Sequence, residues 1–537
     1  METSSSNWHY TPVALASIEA KLHARFKKDG FLALSDLPHP STFKDMDKAT
    51  ERIVQAISAN EKIVLIGDYD ADGVISTTLI KAFFEAINYP LEWIIPNRFR
   101  DGYGLSANII PRITEFDLAI TVDNGIAAVE AALLCKKHNI ELIITDHHML
   151  PKQLPSAYAI INPKQPECEF PYEEVCGAQI AWYLIASLNR ALSKKIDIKP
   201  YIELLAIAII ADMMPLQHIN RAMVVAGLKL LSQSSLPAIE AFREYLDKEV
   251  LNAEDIGFQI APILNSAGRM DDALWAVEFL LSDNIYDARV RLDRLVGFNE
   301  QRKAIEQQIT KEATESVNLK DKVIVVDGEG WHEGVIGIVA ARIARRFEKP
   351  TIILTQSENG DLKGSGRSFH ICNLFKITDA SRSLLSKFGG HHAAIGLSLP
   401  KKNLNRFKME LQQNYLKEKY NESYIDPDIL GELSFEEIGF ELINMLKQFE
   451  PYGQGNSRPK FITSNVIVED VNSMGKKGEH LRFLLSHNGV VHQAVLFKTD
   501  KKFEIGDRVE LSYGLNENHF SNRIAIQLMI EKIYKII

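Results

Sequence analysis

Three short apolar runs each end in an acidic turn. Lys62-Ile-Val-Leu-Ile-Gly67 leads into Asp68-Tyr-Asp70-Ala-Asp72-Gly73, Asp117-Leu-Ala-Ile-Thr-Val122 into Asp123-Asn-Gly125, and Ile140-Glu-Leu-Ile-Ile-Thr145 into Asp146-His147-His148. Carboxylates and imidazoles together suit Mn²⁺, Mg²⁺ or Zn²⁺, and a pair of such ions can both make a nucleophile and hold a phosphate oxygen. In an open α/β sheet ligands gather beyond the C-terminal strand ends, where these side chains would converge. The pattern outlines two-metal phosphoester chemistry. Each Asp-rich turn alone is weak, since Asp, Asn and Gly favour turns for local reasons. Two imidazoles and a carboxylate on one strand exit are harder to assign to packing. Asp70 and Asp72, two apart on a turn opened by Gly73, can point into one cavity, while Asp68 either ligates or organises the loop. Asp212 follows the apolar run Leu204–Ala211, and a carboxylate buried there would need a cation as partner.

The elements that must position these residues read as an alternation of strands and helices. The spacing predicts a helix over Ser76–Ile87, a strand over Leu91–Pro96, a helix over Gly125–His138, and apolar helices over Ala178–Leu192 and Tyr201–Ala211. A mostly parallel sheet with helices on both faces follows. Residues 1–60 read as a helical N-terminal extension, with Leu15, Ile18, Leu22 and Phe26 at helical spacing, and residues 61–270 as the first α/β domain. A turn at Ala261-Pro-Ile-Leu-Asn-Ser-Ala-Gly-Arg269 is expected to interrupt the helices. Residues 271–320 form a connector of one long helix or two. A second α/β domain, 321–450, opens with Lys322-Val-Ile-Val-Val326, the Ile336–Phe347 helix and Pro350-Thr-Ile-Ile-Leu354. Residues 451–537 alternate in short β-runs such as Leu481–Leu485, Val491–Phe497 and Arg508–Tyr513, which fits an oligonucleotide-binding-type barrel.

Composition sets bounds on these readings. A chain of 537 residues is too long for one core and suggests roughly three or four domains. Its net charge of -9 provides no global basic field, so a nucleic-acid partner would depend on locally concentrated arginines and on bound cations. Cys135, Cys168, Cys176 and Cys372 show no CxxC spacing, and no second close pair completes a zinc site around Cys168 and Cys176. Free thiols in a reducing cytoplasm are the simpler expectation. Met1-Glu-Thr-Ser-Ser-Ser-Asn lacks the features of a signal peptide, and the longest apolar run stops at Asp212, short of a membrane span.

The turns Asp68–Gly73, Val122–Gly125 and Asp146–His148 resemble the motifs of the DHH phosphoesterase superfamily. Ala211-Asp-Met-Met-Pro-Leu216, Leu264-Asn-Ser-Ala-Gly-Arg269, Trp331–Ala340, Gly364-Ser-Gly-Arg367, Gly389-Gly-His391 and Pro451-Tyr-Gly-Gln-Gly-Asn456 narrow the resemblance to the RecJ family of single-strand-specific exonucleases. It covers nearly the whole chain. The resemblance implies a DHH domain, a DHHA1-type second lobe and an oligonucleotide-binding barrel. It also implies two divalent ions, Mn²⁺ or Mg²⁺, with Asp70 and Asp72 on separate ions and Asp123 bridging them. His147 and Asp212 would complete the set, and His148 would lie close to the phosphate as orienter or proton donor.

Arg269 and Arg367 each follow a glycine, where a guanidinium can clamp a phosphate bidentately. With the resemblance, they and Ser365 are expected to hold the 5′-terminal phosphate or the first nucleotides. Arg98 and Arg100 could line the same mouth, Tyr103 could stack on a base, and Gly389-Gly390 would let the backbone beside His391 approach substrate. His332 could sit at an anion-welcoming helix N-terminus. The barrel is expected to add strand contacts and no ligand. The resemblance implies 5′→3′ hydrolysis of single-stranded DNA to 5′-mononucleotides in repair and recombination, with a single-strand-binding protein and a helicase as partners of a cytoplasmic monomer. The alternatives are a phosphodiesterase of the same superfamily for oligoribonucleotides or cyclic dinucleotides, and a non-enzymatic adaptor. The extra binding platform argues against the first and the intact ligand set against the second.

Overall fold

The computed structural model describes residues 11–26, 31–357, 360–418, 420, 426–475, 478–499, 501–520 and 523–536; the N-terminal residues read above for a leader lie outside them. The first lobe is built on β1 (Ile63–Ile66), β2 (Glu92–Ile94), β3 (Leu118–Val122), β4 (Glu141–Thr145) and β5 (Ala159–Ile161), all parallel in the order β2-β1-β3-β4-β5. Except for β2 the strands are apolar almost throughout because both faces are covered. The helices Ala71–Ala86 and Gly177–Ala191 pack on one face, and Val129–Lys137 packs on the other. Strands β1, β3 and β4 are neighbours, so the three acidic turns leave one edge side by side. The chain reverses between β2 and β3, and such a switch point opens a crevice at the strand ends.

Two local readings change. Asp70 and Asp72 do not share a loop: the helix starts at Ala71, earlier than the spacing predicts, with Asp70 as its N-cap and Asp72 in its first turn. Asp70 Oδ1 accepts the Asp72 and Gly73 N–H groups at 3.0 and 3.2 Å, as an N-cap carboxylate does. Nor is Ala261–Arg269 a turn. It forms the helix Ala261–Met270, entered through a π-helical turn at Ile256–Ile260. Pro262 lies in the first turn of that helix, where a missing N–H costs little.

The connector is two helices, Leu274–Leu280 and Ile285–Glu315, the second opened by Asn284 as N-cap. At 31 residues the second is about 46 Å long. Its C-terminal part contributes Ile309 and Ala313 to the core of the second lobe. Buried Glu306 pairs there with Arg302 at 2.8 Å and with Arg342 of the Ile336–Phe347 helix. The second lobe carries β6 (Ile324–Gly328), β7 (Thr351–Gln356), β8 (Leu362–Arg367), β9 (Lys387–Gly390) and β10 (Ala394–Leu399) in the order β6-β7-β8-β10-β9. Only the β6–β7 pair is parallel.

The C-terminal sheet comprises β11 (Ile429–Glu432), β12 (Lys460–Met474), β13 (His480–His487), β14 (Val490–Leu496), β15 (Arg508–Phe520) and β16 (Arg523–Ile536), and pairing of β12 with β15 closes it into a barrel. Register shifts in β12 and β15 bend these long strands. The interrupted alternation explains why they read as shorter runs.

The barrel unit begins well before residue 451. β11 and the Phe440–Lys447 helix share its core. So do Ile18, Leu22 and Phe26 of the N-terminal segment, whose Leu15–Ala24 helix therefore packs on the barrel, while Met46–Ala59 packs on the first lobe. Residues 1–60 are thus divided between two bodies rather than forming one extension. No helix among the described residues is long and apolar enough to cross a membrane.

Candidate metal centre

The side chains of Asp68, Asp70, Asp72, Asp123, His147, His148 and Asp212 converge at the C-terminal ends of β1, β3 and β4. Their donor atoms form three overlapping groups: Asp68 with Asp70 and Asp123, Asp72 with His147 and Asp212, and Asp123 with both histidines. Asp123 therefore belongs to two carboxylate-bearing groups. Its backbone is left-handed, with φ 61°, a conformation Asp tolerates better than most residues. The next residue, Asn124, fastens the site. Its Nδ2 donates to the Ile66 and Val122 carbonyls at 3.0 and 2.9 Å and its Oδ1 accepts the Leu105 N–H at 2.9 Å, tying the ends of β1 and β3 to the loop between β2 and β3.

His147 Nε2 lies 3.1 Å from Asp123 Oδ1, 3.6 Å from Asp212 Oδ2 and 3.7 Å from Asp72 Oδ2. Burial, and then the charge on His148, push His147 down to about 3, so near neutral pH its imidazole carries no charge to pair with them. The site is thus a set of acceptors facing one another. Asp68 Oδ1, Asp123 Oδ1 and Asp212 Oδ2 are buried without a hydrogen-bond partner, which is costly unless a cation fills the gap. Adjacent ligands on an ion with bonds near 2.1 Å stand about 3 Å apart, so the spacings fit a bound ion. Burial and like charge raise Asp68, Asp123 and Asp212 well above the usual carboxylate range. Asp72 rises to about 6 through burial and the charge of Asp70, although the Ala178 and Gly177 N–H groups oppose the shift.

Those two donors sit at the start of the Gly177–Ala191 helix, Gly177 at 2.6 Å and Ala178 at 2.8 Å from Asp72. A Cβ on Gly177 would lie 2.5 Å from Asp123 Cβ, so only glycine lets this helix approach both carboxylates. His148 behaves opposite to its neighbour. Its burial disfavours charge, but Asp146, bonded to His148 Nδ1 at 2.7 Å, more than offsets it and pushes the ring up to about 9. Asp146 is fixed in turn by the Ile126 N–H at 2.8 Å.

The Ala261–Met270 helix crosses the mouth of the cluster. Asn265 Oδ1 accepts the Ala71 N–H at 2.8 Å, and a Cβ on Gly268 would meet the Tyr69 carbonyl at 2.4 Å. Arg269 then reaches the second lobe, donating to the Gly334 carbonyl at 3.0 Å. Burial, and then Arg98 and Arg302, lower it to about 10, with Asp70 and Arg367 also within electrostatic reach. Arg367 Nη1 donates to Ser365 Oγ at 3.0 Å, and both side chains lie against Gly337 in the first turn of the Ile336–Phe347 helix.

Arg98 stacks on Tyr69 at 4.6 Å. Tyr103 turns its hydroxyl toward the Asp123 carbonyl and His148 Nε2, each at 3.4 Å, and the residue stays 46% exposed. His332 packs edge-on to Phe99 at 5.6 Å, a second contact between the lobes. Arg100 departs from the cluster and pairs with Asp272 at 3.5 Å on the surface. His391 sits in the β9–β10 turn, where burial and the neighbouring charges of His392 and Arg367 lower it. Sequence reasoning missed Asn124, Gly177, Ala178 and Asn265. Asn124 and Asn265 lay inside recognised motifs without a role of their own, and Gly177 and Ala178 read as ordinary residues at a helix start.

Family models cover most of the chain: the DHH family N-terminal domain matches residues 62–209, the DHHA1 domain residues 320–417 and the RecJ OB domain residues 429–532. The chain is 33% identical to the single-stranded-DNA-specific exonuclease RecJ of Salmonella typhimurium, over 91% of this chain and 90% of that protein. It is 34% identical to the Bacillus subtilis protein of the same name over 93% of its own length, but spans only 64% of that relative. Among solved structures, RecJ from Thermus thermophilus in complex with Mn²⁺ superposes with a TM-score of 0.80 at 24% identity, over 96% of this chain and 76% of that one.

Proposed function

The chain belongs to the RecJ family of DHH phosphoesterases, and on that premise we propose that it is a metal-dependent exonuclease that enters single-stranded DNA at its 5′ end and releases 5′-mononucleotides. The observation that carries this reading is the cluster of unpartnered carboxylate oxygens around an uncharged His147, with Arg269 within electrostatic reach of Asp70 and Arg367. Asp72, His147 and Asp212 would hold one divalent ion, and Asp68, Asp70 and Asp123 a second, with Asp123 shared. The oxygen-rich set suits Mn²⁺ or Mg²⁺. Bound, the pair would supply Lewis acidity toward the phosphate and lower the pKa of an attacking water.

The protein's own groups do the rest. His148, charged and aimed by Asp146, offers its Nε2 proton beside the cluster, either to a phosphate oxygen or to the leaving 3′ oxygen. Arg367, Ser365 and the first turn of the Ile336–Phe347 helix form an anion-binding corner suited to a 5′ phosphate. Arg269 spans the gap to the metals. The exposed ring of Tyr103 can stack on a base without regard to its identity. Contacts between the lobes at Arg269–Gly334 and Phe99–His332 narrow the approach, which favours one strand over a duplex. The proposal extends to a role in repair and recombination, as a cytoplasmic monomer working with a single-strand-binding protein and a helicase.

An end-labelled assay tests it. Single- and double-stranded DNA, labelled at each end in turn, and dinucleotides are offered with Mg²⁺, Mn²⁺ or EDTA. The expected result is early release of labelled 5′-mononucleotide from single strands only, abolished by EDTA. Cleavage confined to dinucleotides would overturn it in favour of a small-substrate phosphodiesterase.

A further inference from the structure

The segment Pro451–Asn456 is remote in sequence from the metal cluster, yet it is bonded to the loop that follows Asp212. The Leu216 N–H donates to the Gln454 carbonyl at 2.7 Å, and Gln217 Nε2 donates to the Gly455 carbonyl at 2.8 Å. The glycines let the segment pack closely on the side chains of the loop: a Cβ on Gly453 would meet Leu216 Cδ1 at 2.8 Å, and one on Gly455 would meet Pro215 Cβ at 2.9 Å. Asn456, fully buried, braces the segment, its Nδ2 donating to the Phe449 and Pro451 carbonyls at 2.8 and 2.9 Å.

Beneath the loop a line of amides runs on to a second carboxylate. Asn220 Nδ2 donates to the Pro215 and Glu174 carbonyls at 3.0 and 2.7 Å. Gln179 Nε2 donates to Asn220 Oδ1 at 3.0 Å, while Gln179 Oε1 accepts the Cys176 N–H at 3.0 Å. The next two N–H groups, of Gly177 and Ala178, are the ones bound to Asp72. Asn220 and Gln179 are buried and bonded through both the oxygen and the nitrogen of their amides, which holds each in one orientation.

We infer that this relay, from the barrel's lead-in through the Leu216–Gln217 loop, Asn220 and Gln179, sets the separation of Asp72 and Asp212 and so tunes the cation position they share with His147. The inference rests on the reading that this triad holds a cation. Gln217, Asn220 and Gln179 are positioning residues, and they couple the seating of the barrel to one of the two ions. Outer residues that orient ligands commonly shift metal affinity by about ten- to a hundredfold.

The test is Mn²⁺ binding to the full-length chain without nucleic acid, followed by the electron paramagnetic resonance signal of free Mn²⁺. Wild type is expected to bind two ions. Asn220→Leu and Gln179→Leu should weaken one of them about tenfold or more and leave the other nearly unchanged, with Gln217→Ala acting in the same direction. Thr50→Ala is the control for instability, because Thr50 Oγ1 bonds the Met46 carbonyl and Ser187 in the same lobe, away from the relay. It should move neither affinity. Two ions bound with wild-type affinity in all three relay variants would overturn the relay, as would equal weakening of both ions. Failure of wild type to bind Mn²⁺ would instead overturn the cation reading itself. If the leucine variants do not fold, as judged by circular dichroism, Gln217→Ala at the partly exposed edge of the network decides.

Discussion

At the scale of single residues the site is a balance of charge that the protein alone does not close. Asp123 is the shared member of its groups, so Asp123→Ala should abolish hydrolysis while fold and much of the DNA affinity persist. Retention of a measurable fraction of turnover at saturating Mn²⁺ would contradict the shared assignment. The raised carboxyls give a second expectation. Asp72 at about 6, with Asp68, Asp123 and Asp212 also raised, binds its proton more tightly in the folded than in the unfolded chain. In metal-free protein their stabilising contribution is complete below the ordinary carboxylate range; that of Asp72 is lost as pH rises through about 6, and those of the others as pH rises through their own raised values. Cations displace those protons, so the gain in Tm on adding Mn²⁺ should be larger near pH 8 than near pH 5.5. Equal gains would show that the carboxyls are not the ligands. Arg367→Ala should leave Mn²⁺ binding intact and slow cleavage of 5′-phosphorylated strands, a charge-assisted contact being worth roughly 1.5–3 kcal/mol. The penalty should shrink on 5′-hydroxyl strands if Arg367 reads the terminal phosphate and remain the same on them if it grips an internal one; comparing the two substrates across a salt series separates the roles, since screening alone would weaken both.

At the scale of elements, helix starts do the positioning. The Ala71–Ala86 helix offers Asp72 from its first turn, and the Gly177–Ala191 helix meets that carboxylate with two N–H groups. Gly177→Ala tests how tightly they are set, since its Cβ would collide with Asp123 at 2.5 Å. Displacement of Asp123 is expected to weaken Mn²⁺ binding about tenfold or more with little change in Tm. Wild-type affinity would mean that the Gly177–Ala191 helix and the turn after β3 can part at no cost. The acidic residues were legible because carboxylates after apolar runs are chemically conspicuous. The helix starts were not, because the β-branched run Val74-Ile75 and the turn-forming Asp-Gly pair both speak locally against helix. Burial of both faces of that segment outweighs them. In the same way Pro262 and Gly268 suggested a turn, whereas Gly268 serves close approach to Tyr69 inside a helix.

At the scale of the whole molecule, the barrel is not an appendage on a finished enzyme. The boundary expected at residue 451 cuts through a unit that starts at β11 and includes the Leu15–Ala24 helix. A chain ending at Glu450 would lose Gln454 and Gly455 from the Asp212 loop and expose the apolar face of that N-terminal helix. It should therefore turn over even short oligonucleotides more slowly and melt earlier, in place of the clean loss of processivity that a separate strand-binding module would give. Unchanged turnover on short substrates would show that the Leu216–Gln217 loop keeps its shape unaided. The two lobes are joined more firmly than by a linker, because the Ile285–Glu315 helix gives Leu292 and Leu295 to the core of the first and Ile309 and Ala313 to that of the second, where its buried Glu306 also pairs with Arg342.

What the sequence determined by itself was chemical identity and local period. The donors Asp68, Asp70, Asp72, Asp123, His147, His148 and Asp212 were readable because acidic and imidazole side chains at the ends of apolar runs have few other uses. The parallel sheet was readable because strands buried on both faces lose their alternation. Tertiary structure alone decided that β1, β3 and β4 are neighbours, which turns three separate turns into one site. It also decided the work of Asn124, Asn265, Asn220 and Gln179. An amide's role depends on which donor and acceptor stand opposite it, and those partners come from segments far apart in the chain, whose meeting no local pattern records.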